Sequence, residues 1–235
     1  MTFNTEKCKI MHVGRGNPDY DYSKNNVNLS ETEKERDIGV IIHKSLKPLH
    51  HCIEAARKAR SFHYRDKITF VKLYTTYVRP HLEFSTAAWN PWLQKDEEVL
   101  EMVQIRAINM VSGLQGASYE QKLAELGMCS MKQRRLQFDM LQTFKIVHVI
   151  DKVDHSSWFE FIENRGDRVT RLSGDPLNLK LKRANTEIRR NFFSHRVVNA
   201  WNQIPTTIKN ARTTSSFKSQ FNNYMPQQHR SNHQN

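Results

Sequence analysis

The hydrophobic pattern of this sequence changes its period at Pro48. Before that point, residues 7–13 and 37–43 form two short runs rich in Ile and Val, and the Gly- and Asn-rich stretch between them is typical of strands joined by turns. After it, apolar residues recur at the three- and four-residue spacing of amphipathic helices. The pattern predicts an α+β fold that is mainly α, with a small N-terminal antiparallel sheet followed by helices.

One helix is predicted immediately before Pro80, because four apolar residues there share a helical face. Pro80 lacks the backbone N–H that a helix interior needs, so it should end or kink this helix. The four residues are Phe70, Leu73, Tyr74 and Tyr77.

Polar residues predict where three later helices begin. Asp96 is expected to be the N-cap of a long helix, since its carboxylate can accept hydrogen bonds from the first free N–H groups. Ser118 with Gln121, and Ser130 with Gln133, have the spacing of capping boxes and predict two further helix starts.

Positive charge is concentrated in the last part of the chain. The whole sequence has 36 Lys and Arg against 24 Asp and Glu, a formal net charge of +12. Residues 129–235 hold 18 of the basic residues but only 8 of the acidic ones, whereas residues 65–128 are close to neutral. A localised basic surface of this kind favours a polyanion as partner.

Several functional classes are disfavoured by the sequence. It contains no Walker lysine loop, no GxSxG and no HExxH motif. The three cysteines are far apart, no apolar run is long enough for a membrane span, and no signal-peptide segment is present, so we expect an intracellular protein, nuclear or cytoplasmic and not secreted. His43, His50, His51 and Cys52 invite comparison with a zinc site, but their spacing favours a polar turn at a helix start.

Seven segments of the sequence, in this order, resemble the C-terminal end of reverse transcriptases from jockey-like non-LTR retrotransposons. The resemblance extends to about residue 224. The segments are FNTEKCKIMHVG, ERDIGVII, LYTTYVRPHLEF, WNPWLQKDEEVLEMVQIRA, SYEQKLAELGM, RRLQFDMLQTFKI and NFFSHRVVNAWNQIP.

The resemblance implies four regions. Residues 1–47 correspond to the end of a palm with a primer-grip-like hairpin, residues 48–150 to a helical thumb-like region, and residues 151–224 to a basic C-terminal extension. The fourth region, residues 225–235, lies beyond the resemblance and is predicted to be a disordered tail because it is polar. In this family the aspartate pair that binds Mg²⁺ precedes the FNTEKC strand, and no such motif occurs in the sequence. The chain is therefore expected to be a fragment that is inactive as a polymerase on its own and to bind no cofactor or small-molecule substrate.

Three residues of the palm-like region correspond to family positions near the nucleotide and the primer. Lys7 matches a lysine close to the phosphates of the incoming nucleotide. Gly39 and Val40 match the primer grip, where the backbone approaches the primer end. A solvated lysine at a strand end and a glycine at a bulge are equally good interpretations of Lys7 and Gly39.

The thumb-like region supplies a second candidate set. Arg57, Lys58 and Arg60 lie on the helix that resembles the first thumb helix, which in this family follows the template–primer duplex. A solvated helix face is the alternative. Around residues 60–66 the sequence is shorter than its relatives, so this helix should be truncated or displaced.

The remaining candidates form the basic C-terminal surface. Arg134 and Arg135 lie near the start of a predicted helix, where the helix dipole disfavours positive charge. Their position therefore favours an external anion as their partner. Further along the chain, a second group of basic residues is expected to flank a predicted buried stripe that includes Phe193, Val197 and Trp201. We expect these residues to contact RNA or DNA backbone with low sequence specificity. They are Lys180, Lys182, Arg183, Arg189, Arg190 and Arg196.

Two other interpretations stay open at this point. The chain could be a degenerate reading frame without function, which the shortened thumb favours. It could also be a domesticated module that binds protein, in which case the basic surface would face a protein partner.

Overall fold

The computed structural model describes residues 7–13, 17–59, 66–162 and 175–231, without the side chains of residues 56, 58, 59 and 226–231. Helices predominate and the strands are few and short, which confirms the predicted mainly α class. None of the helices in these ranges combines the length and the apolar character that a membrane crossing requires. Contacts divide the chain into unit 1, residues 1–85 and 89–131, and unit 2, residues 86–88 and 132–235. These packing units follow different boundaries from the four regions implied by the resemblance.

The strands of unit 1 form three separate pairs rather than one sheet among the described residues. The turns explain two of these pairs. Asn25 and Asn26, like Ile38 and Gly39, have positive φ, and a two-residue turn of that kind closes a tight antiparallel hairpin. The first pair is parallel, a difference from the predicted antiparallel sheet. The pairs are β1 (Lys9–Ile10) with β4 (Ser30–Glu31), β2 (Ser23–Lys24) with β3 (Val27–Asn28), and β5 (Lys34–Asp37) with β6 (Val40–His43).

The helices of unit 1 follow this strand region. The predicted capping box of Ser118 and Gln121 is confirmed at the start of α6. Asp96 differs from its predicted role, because the long helix α5 begins at Gln94 and takes Leu93, three residues before Asp96, as N-cap. The helices are α1 (Leu49–Ala59), α2 (Lys67–Leu73), α3 (Arg79–Glu83), α4 (Thr86–Trp89, of which residues 86–88 belong to unit 2), α5 (Gln94–Asn109) and α6 (Tyr119–Glu125).

The helix predicted before Pro80 widens into a π-helical turn, Tyr74–Val78, between α2 and α3. Pro80 lies in the first turn of α3, where its missing N–H costs no hydrogen bond. The wider turn changes which residues face inward: Tyr74 and Val78 are buried, whereas Tyr77, predicted to be buried, is 64% exposed.

The core of unit 1 combines apolar packing with a hydrogen-bond network that ends on a carboxylate. Its buried apolar residues come from α1, α2, α3 and α5 and from the π-helical turn. Within it, the Tyr74 hydroxyl donates to Oε1 of Gln104 at 3.0 Å, and Nε2 of Gln104 donates to the Tyr119 hydroxyl at 2.9 Å. The Tyr119 hydroxyl in turn donates to Glu101. Since Gln104 is fully buried, this network satisfies polar atoms that water does not reach.

Unit 2 is built mainly from helices; the regular elements of the described residues 148–162 and 175–186 are a 3₁₀ turn (His155–Ser157) and an isolated β-bridge. The predicted LNLKLK strand is reduced to a single bridge between Phe161 and Leu179 among the described residues. The last helix continues to Ser231, through residues predicted to be a disordered tail; residues 232–235 lie outside the described part. The helices are α7 (Met131–Val147, starting at the last residue of unit 1), α8 (Glu187–Arg190), α9 (Phe193–Gln203), α10 (Thr206–Lys209) and α11 (Thr214–Ser231).

The core of unit 2 is an aromatic cluster. The predicted stripe on α9 is confirmed, because Phe193, Val197 and Trp201 are all buried. Phe217 on α11 stacks on Phe144 of α7 with ring centroids 4.4 Å apart, so the core joins α7, α9 and α11.

Candidate nucleic-acid interface

Two of the predicted phosphate-binding residues are already engaged by a carboxylate. Lys180 and Lys182 place their ammonium groups 3.2 and 3.0 Å from the two oxygens of Glu160. Hydrogen bonds from these two lysines, with their charges, hold the pKa of Glu160 below its ordinary value. All three side chains are exposed enough for solvent to screen their charges, so a phosphate could compete with Glu160 for the two lysines. Because Glu160 neutralises part of their charge, Lys180 and Lys182 offer less positive charge to a partner than the sequence suggests.

Three arginines form the exposed basic surface, which we call the arginine surface: Arg183, Arg189 and Arg190. Arg189 and Arg190 form the last turn of α8, whose start is capped by the Thr186 hydroxyl accepting from the Arg189 N–H. Over the described ranges, none of the three arginines makes an ion pair. Their guanidinium groups are therefore accessible to an anionic partner.

Arg196 is inside unit 2 and differs from the expectation that it flanks the core. Nε and Nη2 donate to the two carboxylate oxygens of Asp139 at 2.9 and 2.8 Å. Nη1 donates to the Asn191 carbonyl at 3.2 Å, and Nη2 also donates to the carbonyls of Thr86 and Ala87. The side chain is only 13% exposed, so this arginine organises the interior and is not available to phosphate.

Arg134 and Arg135 also take internal partners. Arg134 lies with its guanidinium carbon 4.9 Å from the ring centre of Phe138 and donates to Gln137 at 3.0 Å. Arg135 is 2% exposed. Because both side chains turn into α7 and its surroundings, neither supports the predicted external anion, although their place near the helix start is as predicted.

Lys209 is a buried cation that sequence reasoning missed. Its ammonium group, fully buried, donates to Asp175 at 2.9 Å and to Oδ1 of Asn178 at 2.6 Å, and lies 5.7 Å from the ring centre of Trp201. Burial raises the pKa of Asp175, but hydrogen bonds from Lys209, the Leu177 N–H and Thr206 outweigh burial and hold it below its ordinary value. The sequence carries no signal for this contact, because 34 residues separate Lys209 from Asp175.

The candidates of unit 1 are dispersed. Lys7 is exposed. Arg57 is on α1 and pairs with Glu54 one turn earlier at 3.1 Å, as on a solvated helix face. The side chain of Lys58 and the whole of Arg60 lie outside the described residues, as do most of residues 60–66, where the shortened thumb was predicted.

Gly39 has a defined conformational role. It occupies the turn between β5 and β6 with φ of +83°, and a Cβ at this position would lie 3.0 Å from Cε1 of Phe84. Both facts require glycine, and Val40 follows as the first residue of β6. The side chain of Phe84, from the same unit, therefore lies close to the backbone at Gly39, where the resemblance implied the end of a primer.

A cleft of about 160 Å³ adjoins this hairpin. Arg36, Gly39, His51, Glu54 and His81 are among the residues that line it. The Ile41 N–H donates to Nδ1 of His51 at 3.2 Å, so a neutral His51 ring carries its proton on Nε2.

The histidines considered for zinc take other partners. His43 stacks on His50 with ring centroids 4.3 Å apart, and Cys52 is buried in the core of unit 1. Among the described residues, no group of His, Cys, Asp and Glu side chains has the arrangement that a metal ion needs.

Comparison with known proteins gives no match: no protein-family model, no curated protein and no solved structure is detectably similar to this chain.

Proposed function

We propose that the chain binds RNA or DNA backbone with low sequence specificity, as the C-terminal part of a retrotransposon reverse transcriptase would, without catalysis of its own. The single observation that carries this proposal is the arginine surface, Arg183, Arg189 and Arg190, exposed and free of ion pairs over the described ranges. The resemblance of the sequence to jockey-like elements supports the identity of the parent protein. A nuclear or cytoplasmic location belongs to the same proposal.

The electrostatics favour phosphate over a protein carboxylate as the partner. Unit 2 contains 18 Lys and Arg against 8 Asp and Glu, so long-range attraction to a polyanion persists even after its internal ion pairs are discounted. Guanidinium groups bind phosphate through paired N–H donors, and such contacts fix position without reading bases. Cations that replace condensed counterions also make the affinity depend steeply on salt.

The test is a salt titration of the full chain with a fluorescent RNA or DNA duplex, followed by anisotropy. We expect the logarithm of the affinity to fall linearly with the logarithm of the salt concentration. Replacing all three residues of the arginine surface with Gln should flatten that slope by up to about three units if each contacts a phosphate. These side chains are exposed, so folding should be unaffected.

The matched control removes the same charge from unit 1, where Lys34, Lys95 and Arg106 are exposed. Their replacement with Gln should leave the slope close to that of the original chain. The proposal fails if the chain does not bind at low salt, or if the two triple variants have the same slope as the original.

A protein-interaction module is the second candidate, and exposed apolar side chains in unit 1 favour it. Ile38 is 87% exposed, Ile68 69% and Tyr77 64%. Exposed apolar residues mark an interaction surface only where they form a contiguous patch, so this candidate requires the three side chains to act together. Absence of nucleic-acid binding in the salt titration would place this candidate first.

A further inference from the structure

An exposed aromatic side chain adjoins the arginine surface. Phe192 is 41% exposed, whereas its neighbour Phe193 is buried at 2%. The guanidinium carbon of Arg189 lies over the Phe192 ring, 5.3 Å from its centre. A large aromatic ring therefore reaches solvent within a cluster of cations.

This ring is held in place by a series of aromatic contacts. Trp158 lies nearly parallel to Phe192, with an interplanar angle of 8° and ring centroids 6.1 Å apart. Trp158 also meets Phe193 edge to face at 5.9 Å. We call Phe192, Trp158 and Phe193 the aromatic ladder; it runs from solvent to the core of unit 2, so its outer ring is supported by packing.

The chain connection fixes the ladder beside the arginines. Phe192 is the N-cap residue of α9 and follows α8 after one residue, Asn191. The Phe192 N–H donates to the Arg189 carbonyl at 3.3 Å, and the His195 and Arg196 N–H groups donate to the Phe192 carbonyl. This backbone bonding on both sides restrains Phe192 relative to Arg189.

We propose that Phe192, supported by Trp158, is a stacking platform for a base of single-stranded nucleic acid: the base displaces the Arg189 guanidinium from the ring, and the arginine surface holds the adjacent phosphates. Proteins that bind single strands combine cations along the backbone with aromatic rings on which bases stack. Inside a duplex the bases stack on one another, so only its two ends offer Phe192 a free base face. This inference rests on the proposed function, and it names single strands as the preferred form of that ligand.

The test compares two probes of equal length, a fluorescent oligothymidylate and a blunt DNA duplex, with the full-length chain. Phe192→Leu keeps an apolar side chain against Trp158 but removes the π face. We expect it to weaken binding of oligothymidylate roughly five-fold or more, as loss of one stacked base does, and to leave duplex binding unchanged. Phe192→Trp should restore single-strand binding.

Arg190→Gln is the matched control, because it removes a phosphate contact and no ring. It should weaken binding of both probes to a similar extent. Far-UV circular dichroism checks that each variant is folded, and Phe192→Trp tests the platform if Phe192→Leu does not fold.

The outcomes separate this inference from the function on which it rests. If Phe192→Leu binds both probes as the original chain does, or loses both equally, the stacking platform is wrong and backbone binding stands. If the original chain binds neither probe at low salt, the proposed function fails together with the platform, and the ladder would instead suit a protein partner.

Discussion

The two units bury their polar groups in different ways. At the centre of unit 1, neutral side chains pass hydrogen bonds from Tyr74 through Gln104 to Tyr119, and the network ends on the Glu101 carboxylate. Unit 2 instead buries opposite charges, the pair of Arg196 with Asp139 and the contacts of Lys209. A neutral network loses one hydrogen bond when a member is removed, whereas a buried ion pair leaves an uncompensated charge.

This difference changes how the charge of the sequence is interpreted. Arg135, Arg196 and Lys209 are all counted in the basic excess of the C-terminal part, yet Arg135 and Lys209 are buried and the Arg196 side chain is only 13% exposed. The basic residues of unit 2 therefore divide into an internal set that organises the fold and an exposed set, the arginine surface, that can meet a partner. Net charge alone therefore overestimates how many basic residues of unit 2 are available to a partner.

The largest effect is expected from Arg196→Gln. Removing the guanidinium leaves Asp139, 6% exposed, without its two charge-assisted hydrogen bonds. Breaking one side of a buried pair typically costs about 3–5 kcal/mol, and we expect the free energy of unfolding to fall by that amount. Urea denaturation followed by tryptophan fluorescence measures it.

Arg190→Gln is the control, since this arginine is exposed on α8 and should change stability by less than about 0.5 kcal/mol. The double variant Arg196→Gln with Asp139→Asn should recover part of the loss, because no charge then remains buried. Equal stability of the Arg196 and Arg190 variants would remove the contrast between internal and exposed arginines.

A smaller effect is expected from Tyr74→Phe in unit 1. The change leaves Oε1 of the fully buried Gln104 without the 3.0 Å hydrogen bond from the Tyr74 hydroxyl. An unsatisfied neutral acceptor costs about 1–3 kcal/mol, which urea denaturation should detect. Tyr77→Phe, at a 64% exposed position, is the matched control and should be nearly neutral. A loss as large as that of Arg196→Gln would contradict the distinction between the two interiors.

The smallest effect concerns Asp96 and pH. Asp96 is fully buried in the first turn of α5, and neither carboxylate oxygen has a hydrogen-bond partner among the described residues, so burial raises its pKa. Because folding raises the pKa of Asp96, protonation of this carboxyl favours the folded state. The free energy of unfolding should therefore gain from Asp96 as pH falls from the folded pKa towards the unfolded one. Asp96→Asn should therefore stabilise the protein at neutral pH, by about 1 kcal/mol or less because the helix N-terminus favours the original charge.

The pH dependence of this variant gives the check. The gain from Asp96→Asn should shrink as pH falls through the raised pKa of the folded carboxyl and should be lost near the unfolded pKa of about 4. The pKa shift of Asp175 in unit 2 is opposite to that of Asp96, because folding lowers it. The ionised Asp175 carboxylate therefore stabilises the folded state above the unfolded pKa, and this stabilisation is lost as pH falls through the folded pKa. Asp175→Asn should accordingly be destabilising at neutral pH; a gain for both variants would contradict the opposite pKa shifts of these two carboxyls.

Features that depend on nearby residues could be predicted from the sequence. The capping box of Ser118 and Gln121 and the buried stripe through Phe193 and Trp201 follow from spacing within one helix. The burial of Tyr77 and the capping role of Asp96 were predicted wrongly, because a π-helical turn and an earlier helix start shifted the residues that face inward.

The candidate site also depends on contacts between residues that are far apart in the sequence. Sequence located the basic region, but it could not separate Arg196 from Arg190, because the partner of Arg196 is 57 residues away. Nor could it single out Phe192 from Phe193, two adjacent rings of which only one reaches solvent. Pairing between distant residues, and not composition, decides which arginines and which aromatic rings are available.

We expect the π-helical turn at Tyr74–Val78 to let unit 1 accept the loss of one residue. A π turn contains one more residue than an α turn. Thr75 and Thr76 lie on it, and both hydroxyls donate to the Lys72 carbonyl, at 3.0 and 2.8 Å. Loss of one residue here would close the turn to ordinary α geometry and leave Leu82, on the next helix, facing the core. Deletions elsewhere in α2 or α3 would instead rotate every following side chain by about 100°.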